Sequence, residues 1–383
     1  MADSQALKLT GELPVTVVVP AYNRADMLRR SLASIAAQRP ERAAEVIVVD
    51  DGSSDDTAAT AERLGARVIR HERNRGLATA RNTGLEHATH PWVALLDSDD
   101  EWLEHHLATL WPLRGDHVLL GASSLRCYED PSRDRFHGPV TRRPMTVTSP
   151  SPVLYPGALI PVSTALLQRD VALEVGGFRA HHGVVEDLDL WVRMLERGSA
   201  LFCPKVTLIY HMHEEQMSGD PAQMQAGHLA VVDAYEGRPW WSPDISVRWS
   251  GVAAWDNLRL AQARGDRPGM LRHAWAIVRN PQRLIGALGM LGWRFMVRRR
   301  SGEVARDGDP SVAVLPGAAI EPDPSGRLAG RPVVDLRPYG SFARAWLRLL
   351  RRPSGAALTQ SRLQALALRA IGVRPLSRPP AAS

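Results

Sequence analysis

The sequence is short of several things, and each shortage removes a class of protein. Two cysteines, Cys127 and Cys203, are all that its 383 residues contain. Two thiols so far apart make neither a disulfide framework nor a zinc ligand set, so a reducing cytosol is the expected setting. The opening stretch MADSQALKLTGELP has no apolar run, so no secretory signal is expected. Nowhere is there a purely apolar run of about eighteen residues, the length a membrane-spanning helix needs. Neither a P-loop nor a G-x-G-x-x-G follows the first strand pattern, which argues against an NTPase or a dinucleotide enzyme. There is no internal repeat.

What is present is enough for a core. Hydrophobic residues make up 44% and charged residues 23% of the chain. The length suggests two domains, or one domain with a long extension. The net charge of +6 hides an asymmetry: residues 1–220 carry −7 and residues 221–383 carry +13. An acidic front and a basic back suggest two tasks, and the basic part could meet nucleic acid, an anionic membrane or a partner.

The front half alternates strand and helix patterns. VTVVVP (15–20), EVIVVD (45–50), ARVIRH (66–71) and WVALLD (92–97) read as strands. Helices are expected over 24–38, 55–64, 77–89 and 101–111, the first with Leu28, Leu32, Ile35 and Ala36 on one stripe. Continuous apolar strands alternating with helices imply an α/β fold, a mostly parallel sheet flanked by helices. Further on, 117–125 and 163–168 read as strands, 128–152 as polar loop and 169–175 as a short helix before the turn Gly176-Gly177. Residues 186–198 form an amphipathic helix pattern, with Leu190, Trp191, Met194 and Leu195 on one face and Gly198 as the stop.

Three polar clusters follow three of these strands directly: Pro20–Arg24, Asp50–Thr57 and Asp97–Asp100. In an open parallel sheet the carboxyl ends of the strands share one edge, where ligands bind. A plainer reading exists for each cluster. Ser98 and Glu101 are spaced as a capping box, and carboxylates near a helix start are mildly stabilising, by roughly 0.3–1 kcal/mol each. Yet one cap needs one acceptor, and Asp97, Asp99 and Asp100 supply more. In an extended segment Asp97 and Asp99 would point the same way. Such a pair suits a hard divalent cation, Mg²⁺ or Mn²⁺, that would also hold a phosphate-bearing ligand.

Taken together, VVVPAYNRADMLRRSLASIAAQ, EVIVVDDGSSDDT, NRGLATARNTGLEHATHPWVALLDSDDEW, GGF and VVEDLDLWVRMLERG resemble the inverting glycosyltransferase family 2, of the GT-A fold, over about residues 14–215. The resemblance implies a metal-dependent enzyme. It would move a sugar from a nucleotide-diphosphate donor, expected to be a UDP-sugar, to a glycan, lipid-linked or other hydroxyl acceptor, with inversion. It implies Pro20, Ala21, Tyr22, Arg24, Asp51 and Gly52 around the nucleoside, with Asp51 on the base. Arg81 would lie near the base and diphosphate, and Asp97 and Ser98 would meet the donor. Asp99 and Asp97 match the family's D-x-D metal motif, with Asp99 the direct ligand. His213, in YHMHEEQMS, falls near the diphosphate and the metal. Asp187 matches the catalytic base and Glu186 is its neighbour. The competing reading is a non-catalytic nucleotide-sugar or glycan-binding module on the same scaffold, against which the intact Asp99 and Asp187 speak. A sugar nucleotidyltransferase would need a Gly-rich, basic loop where this chain has PAYNR.

The expected organisation is a GT-A catalytic domain over 1–220, with a nucleotide-sugar half (14–120) and an acceptor half (121–220). A helical extension (221–300), a linker with six Pro and six Gly (301–340) and basic C-terminal helices and tail (341–383) follow. Residues 270–300 and 342–352 place Arg around apolar faces carrying Trp, Leu, Met and Phe. These either lie on an anionic leaflet or pack on the catalytic domain or a second subunit. No nucleic-acid motif is present. The expected location is the cytoplasm, at the inner face of the membrane, and the oligomeric state is left open.

Overall fold

The computed structural model describes residues 12–40, 42–129, 135–137, 144–154, 160–180, 185–213, 216–242 and 244–279. The chain divides into two compact units, which within the described residues are 12–241 and 242–279.

In the first unit, β1 (Glu12–Ala21) and β2 (Arg42–Asp50) are the long first pair, joined by α1 (Ala25–Ala36). The alternation continues through α2 (Thr57–Arg63), β3 (Arg67–Arg70), α3 (Leu77–His87) and β4 (Trp92–Leu95). Then come β5 (Glu101–Trp102), α4 (His106–Leu110), β6 (Leu119–Cys127), β7 (Arg135–His137) and β8 (Met145–Val147). The unit closes with β9 (Leu166–Gln168), α5 (Arg169–Glu174), α6 (Glu186–Leu195), β10 (Ala200–His211) and α7 (Pro221–Ala234). One sheet holds the strands in the order β3-β2-β1-β4-β9-β6-β10-β5, with β7 on β6 and β8 on β10. All the long strands, together with β3 and β4, run the same way. β9 is reversed between β4 and β6, and the short β5, β7 and β8 are reversed beside β10 and β6. The sheet is therefore mixed but mostly parallel, with helices against it.

Val15, Val17, Val18 and Val19 are wholly buried, as a β-branched run in a strand covered on both faces requires. Val15, Val17 and Val19 pack with Leu28, Leu32 and Ile35 of α1 and with Leu107 and Leu110 of α4. Val18 faces the other way and meets α3 at Gly84, where a Cβ would collide with the Val18 methyls. That close approach fixes the depth of α3, and with it Arg81 one turn earlier.

The helix expected over 101–111 forms only in its second half. Asp100 N donates to Asp97 O (3.1 Å), closing a turn. Glu101 and Trp102 then enter the sheet as β5, antiparallel to Ile209 and Leu208. Trp102, Leu107 and Leu110 are all buried, a spacing that one continuous helix would also produce. Ser98 and Glu101 therefore make no capping box; Glu101 pairs with His211 Nε2 at 3.2 Å instead. The polar stretch 128–152 also carries two short strands, β7 and β8, where loop was expected.

Leu190, Trp191, Met194 and Leu195 of α6 are buried as the pattern implied. Trp191 Nε1 donates to Ile160 O (3.1 Å), and Tyr235, just past α7, donates to Asp189 Oδ1 (2.6 Å). The second unit contains α8 (Asp244–Ala263) and α9 (Arg267–Arg279), which pack on each other. No helix among the described residues is long and apolar enough to cross a membrane. The expectations for 280–300, 301–340 and 341–383 lie outside the described residues.

Candidate active site

The strand ends converge as topology demands. Ala21 lies beside Asp50 in the register of β1 and β2, and Val18 beside Leu95 in that of β1 and β4. All three polar clusters thus leave one edge of the sheet, and β10, running the same way, brings His211 and His213 to it.

The first two clusters are knitted together. Asn23 takes a left-handed φ of 53°. Its backbone N donates to Ser53 Oγ (2.9 Å), and its Oδ1 accepts from Ser54 N (2.9 Å). Arg24 N donates to Thr57 Oγ1 (2.9 Å). Pro20 and Ala21 are buried at the strand end, whereas Tyr22 is 45% exposed. Asp51 is buried and accepts from His71 Nδ1 (2.6 Å), Arg75 N (2.9 Å) and Gly76 N (2.8 Å). Gly52 follows with φ +77°, and a Cβ there would sit 2.5 Å from the Arg73 carbonyl carbon, so only glycine lets the two loops meet.

The acidic loop is a turn rather than an extended segment, and its carboxylates take different partners. Asp97 Oδ1 accepts from Arg81 (2.7 Å), and Asp99 Oδ2 lies 2.9 Å from His213 Nε2. Asp100 is buried and accepts from Ser163 Oγ (2.5 Å). The same Ser163 hydroxyl accepts from Asp97 N (3.2 Å), while Ser98 O accepts from Ser31 Oγ (2.9 Å). Burial raises the pKa of Asp97, and the Asp99 charge adds to it against the pull of Arg81. Asp100 is raised well above its ordinary value by burial and by Asp99 and Asp97. His213 Nδ1 is buried and has no hydrogen-bond partner among the described residues.

Arg81, 2% exposed, stands between the loop and α6. Its guanidinium bridges Asp97 and Glu186 and lies 5.3 Å from the Phe178 ring. Burial alone would lower the guanidinium pKa, but the charges of Asp97 and Glu186 overcome that and raise it. Glu186 is 4% exposed and points inward, whereas Asp187 is half-buried at the start of α6. Asp187 Oδ1 accepts from Leu188 N (2.7 Å). Burial, then the neighbouring Glu186 charge, pushes the Asp187 pKa up to about 7. Such a group passes between acid and base at neutral pH, the requirement for general base work.

Several residues around the site carried no signal as single positions. Asn82 clamps Phe178 by donating to its carbonyl (2.8 Å) and accepting from its N–H (2.7 Å). Arg193 donates to Asp189 (2.6 Å), Val175 O (2.5 Å) and Gly177 O (2.7 Å), tying the Gly176-Gly177 turn to α6. These residues lie inside quoted motifs, but only tertiary contact shows that they hold the Phe178 segment over Arg81. Ser163 looked like the first residue of a strand.

The profile of Glycosyl transferase family 2 matches residues 16–174. A pre-mycofactocin glycosyltransferase of Mycobacterium tuberculosis is 33% identical over 216 residues, covering 53% of this chain and 43% of that protein. The succinoglycan biosynthesis protein ExoU of Rhizobium meliloti is 38% identical over 114 residues, covering 27% of this chain and 33% of that protein. The matches thus span less than half the length of these two relatives. The fold is shared with S. aureus TarS 1–349, solved in complex with UDP-GlcNAc, at a TM-score of 0.50 and 18% identity over 78% of this chain and 93% of that one.

The buried bridge has a measurable consequence. Arg81→Met leaves the buried Glu186 and the partly exposed Asp97 without a counter-charge, which costs about 3–5 kcal/mol. Urea unfolding should show that loss, and Glu186→Gln added to Arg81→Met should recover part of it. A single variant as stable as wild type would mean that the bridge is not formed.

Proposed function

From the premise that the chain carries a family 2 glycosyltransferase domain, we propose that it is a metal-dependent, inverting glycosyltransferase using a UDP-sugar and a hydroxyl acceptor on a glycan or lipid-linked glycan. The observation that carries this reading is Asp187, a half-buried carboxylate with a pKa of about 7 on a helix start that Arg81 and Glu186 tie to the acidic loop. The acceptor oxygen would attack the anomeric carbon of the donor. As that bond forms, the bond from the anomeric carbon to the diphosphate oxygen breaks, and the acceptor proton passes to Asp187. One displacement inverts the centre. Asp51 would receive the nucleoside base beside Gly52, Pro20, Ala21, Tyr22 and Arg24.

The acidic loop fits a divalent cation. Asp97 and Asp100 are both raised, first by burial and then by neighbouring carboxylate charge, so positive charge there would relieve the repulsion. Asp99 with Asp97 would hold Mg²⁺ or Mn²⁺, and His213, whose Nε2 lies 2.9 Å from Asp99, sets an imidazole beside them. Among the described residues no three such side chains converge as a closed cage. That suits an ion held by few protein ligands and completed by donor phosphates. When bound, it would neutralise charge on the leaving diphosphate. Arg81 donates to both Asp97 and Glu186 and acts in this scheme by holding those carboxylates.

Asp187→Asn should fold, bind UDP in the presence of Mn²⁺ and lose roughly 10²–10⁴-fold in transfer rate. Asp99→Asn should instead abolish the dependence of UDP binding on Mn²⁺, read by calorimetry with and without chelator. Transfer by Asp187→Asn within about threefold of wild type would remove the assignment. Wild type that binds UDP but releases no nucleotide from any UDP-sugar, with or without acceptor, would favour a binding module.

Contact with an anionic membrane surface is proposed for the second unit. On α9, Leu271 and Trp275 are 65% and 64% exposed one turn apart, and Arg267 and Arg272 are exposed beside them. Residues 221–383 carry +13, so an anionic leaflet would add charge attraction to apolar insertion. Flotation with anionic liposomes at low salt should carry the protein, and replacing Leu271 and Trp275 with Ser should reduce it. Wild type that stays unbound would leave packing or subunit contact as the role of this face.

A further inference from the structure

Asp51 sits directly after β2, is 3% exposed and is already well used. Oδ1 accepts from His71 Nδ1 and Arg75 N, and Oδ2 accepts from Gly76 N. A carboxylate has about four acceptor positions, so one remains, on Oδ2. His71, just past β3, is 7% exposed, and its backbone N donates to Asp50 O (2.9 Å). The other ring nitrogen, Nε2, lies 2.9 Å from Thr83 Oγ1 on α3. Because Asp51 can only accept, Nδ1 bears the proton, and in the neutral ring the Thr83 hydroxyl donates to Nε2. The imidazole is thus a strut held at both nitrogens, between the end of β2 and α3. The transfer chemistry above uses neither His71 nor Thr83.

We propose that His71 is a positioning residue for base selection: by fixing the Asp51 carboxylate, it keeps the remaining Oδ2 position aimed at a ring N–H donor, so that uracil is accepted and cytosine refused. This rests on the reading that Asp51 meets the base. Uracil presents an N–H at ring position 3, and cytosine presents a lone pair there, which faces a carboxylate unfavourably. Cytosine also carries an exocyclic amino group next to that position. A carboxylate free to turn could reach this amino group and blur the choice; one clamped by His71, Arg75 and Gly76 cannot. Discrimination of this kind depends on a polar group that is left unpaired by the wrong ligand.

Two substitutions separate the two ends of the strut. His71→Asn places an amide near the position of Nδ1, keeping the donor to Asp51 and losing Thr83. His71→Gln places its amide near Nε2, keeping Thr83 and losing Asp51. Thr83→Val removes the lock while preserving shape. The full chain and each variant are titrated with UDP and with CDP by calorimetry, at one Mn²⁺ concentration, with thermal unfolding as a check on folding. Wild type should prefer UDP by roughly tenfold or more, and His71→Asn should keep that ratio within about threefold. His71→Gln should lose most of it, and Thr83→Val should lose a smaller part. Folded His71→Gln and Thr83→Val proteins with the wild-type ratio would overturn the role of His71 alone. If His71→Gln fails to fold, an unchanged ratio in Thr83→Val overturns it. Wild type that binds UDP and CDP equally would overturn the Asp51 reading itself, and this proposal with it.

Discussion

A single guanidinium buried between two carboxylates organises this site. Arg81 is 2% exposed, and a charge so placed is tolerable only with close counter-charges. Asp97 supplies one and Glu186 the other, from segments far apart in sequence. The bridge therefore does more than neutralise. It sets the distance between the acidic loop after β4 and the start of α6, and so between the proposed metal-binding and base functions. Phe178 lies over the guanidinium, and Asn82, the next residue on α3, clamps Phe178 through its backbone.

The balance of charge follows from the same cluster. Asp97, Glu186 and Asp187 all act on the one guanidinium, so the cluster keeps an excess of negative charge. That excess adds to the effect of burial in two ways. One is the raised pKa of Asp187, whose proton is retained up to about pH 7. The other is attraction for a cation at the acidic loop, where Asp97 and Asp100 are raised as well. A base that titrates near neutrality and the proposed place for a divalent ion thus draw on the same buried cluster.

Much of this was legible in the sequence, for identifiable reasons. Runs such as VTVVVP are buried on both faces, and their apolar continuity announced the parallel strands. The rule that strand ends share an edge then brought Tyr22, Asp51 and Asp97 together before any coordinate did. Periodicity failed at Glu101 and Trp102. There Trp102 is a strand residue filling the core, and its distance from Leu107 and Leu110 imitates a helix. The alternation expected for Asp97 and Asp99 failed because a four-residue turn, closed by Asp100 N on Asp97 O, replaces extended backbone. Pairings made at long range, Arg81 with Glu186 and Asp51 with His71, are invisible to local pattern. The first depends on how deep α3 sits, which Gly84 against Val18 decides, and the second on the parallel register of β2 and β3.

Asp187 is proposed to act as a base whose proton affinity is raised first by burial and then by its charged neighbours. The most direct measurement is kcat/KM against pH, at one fixed Mn²⁺ concentration, for wild type and Glu186→Gln. A base must be ionised, so activity should rise with pH through about 7 in wild type. Glu186→Gln removes the charge that helps raise Asp187, so its rise should come at lower pH. A wild-type profile flat from about pH 5 to 8, or a rise at the same pH in both proteins, would contradict the account.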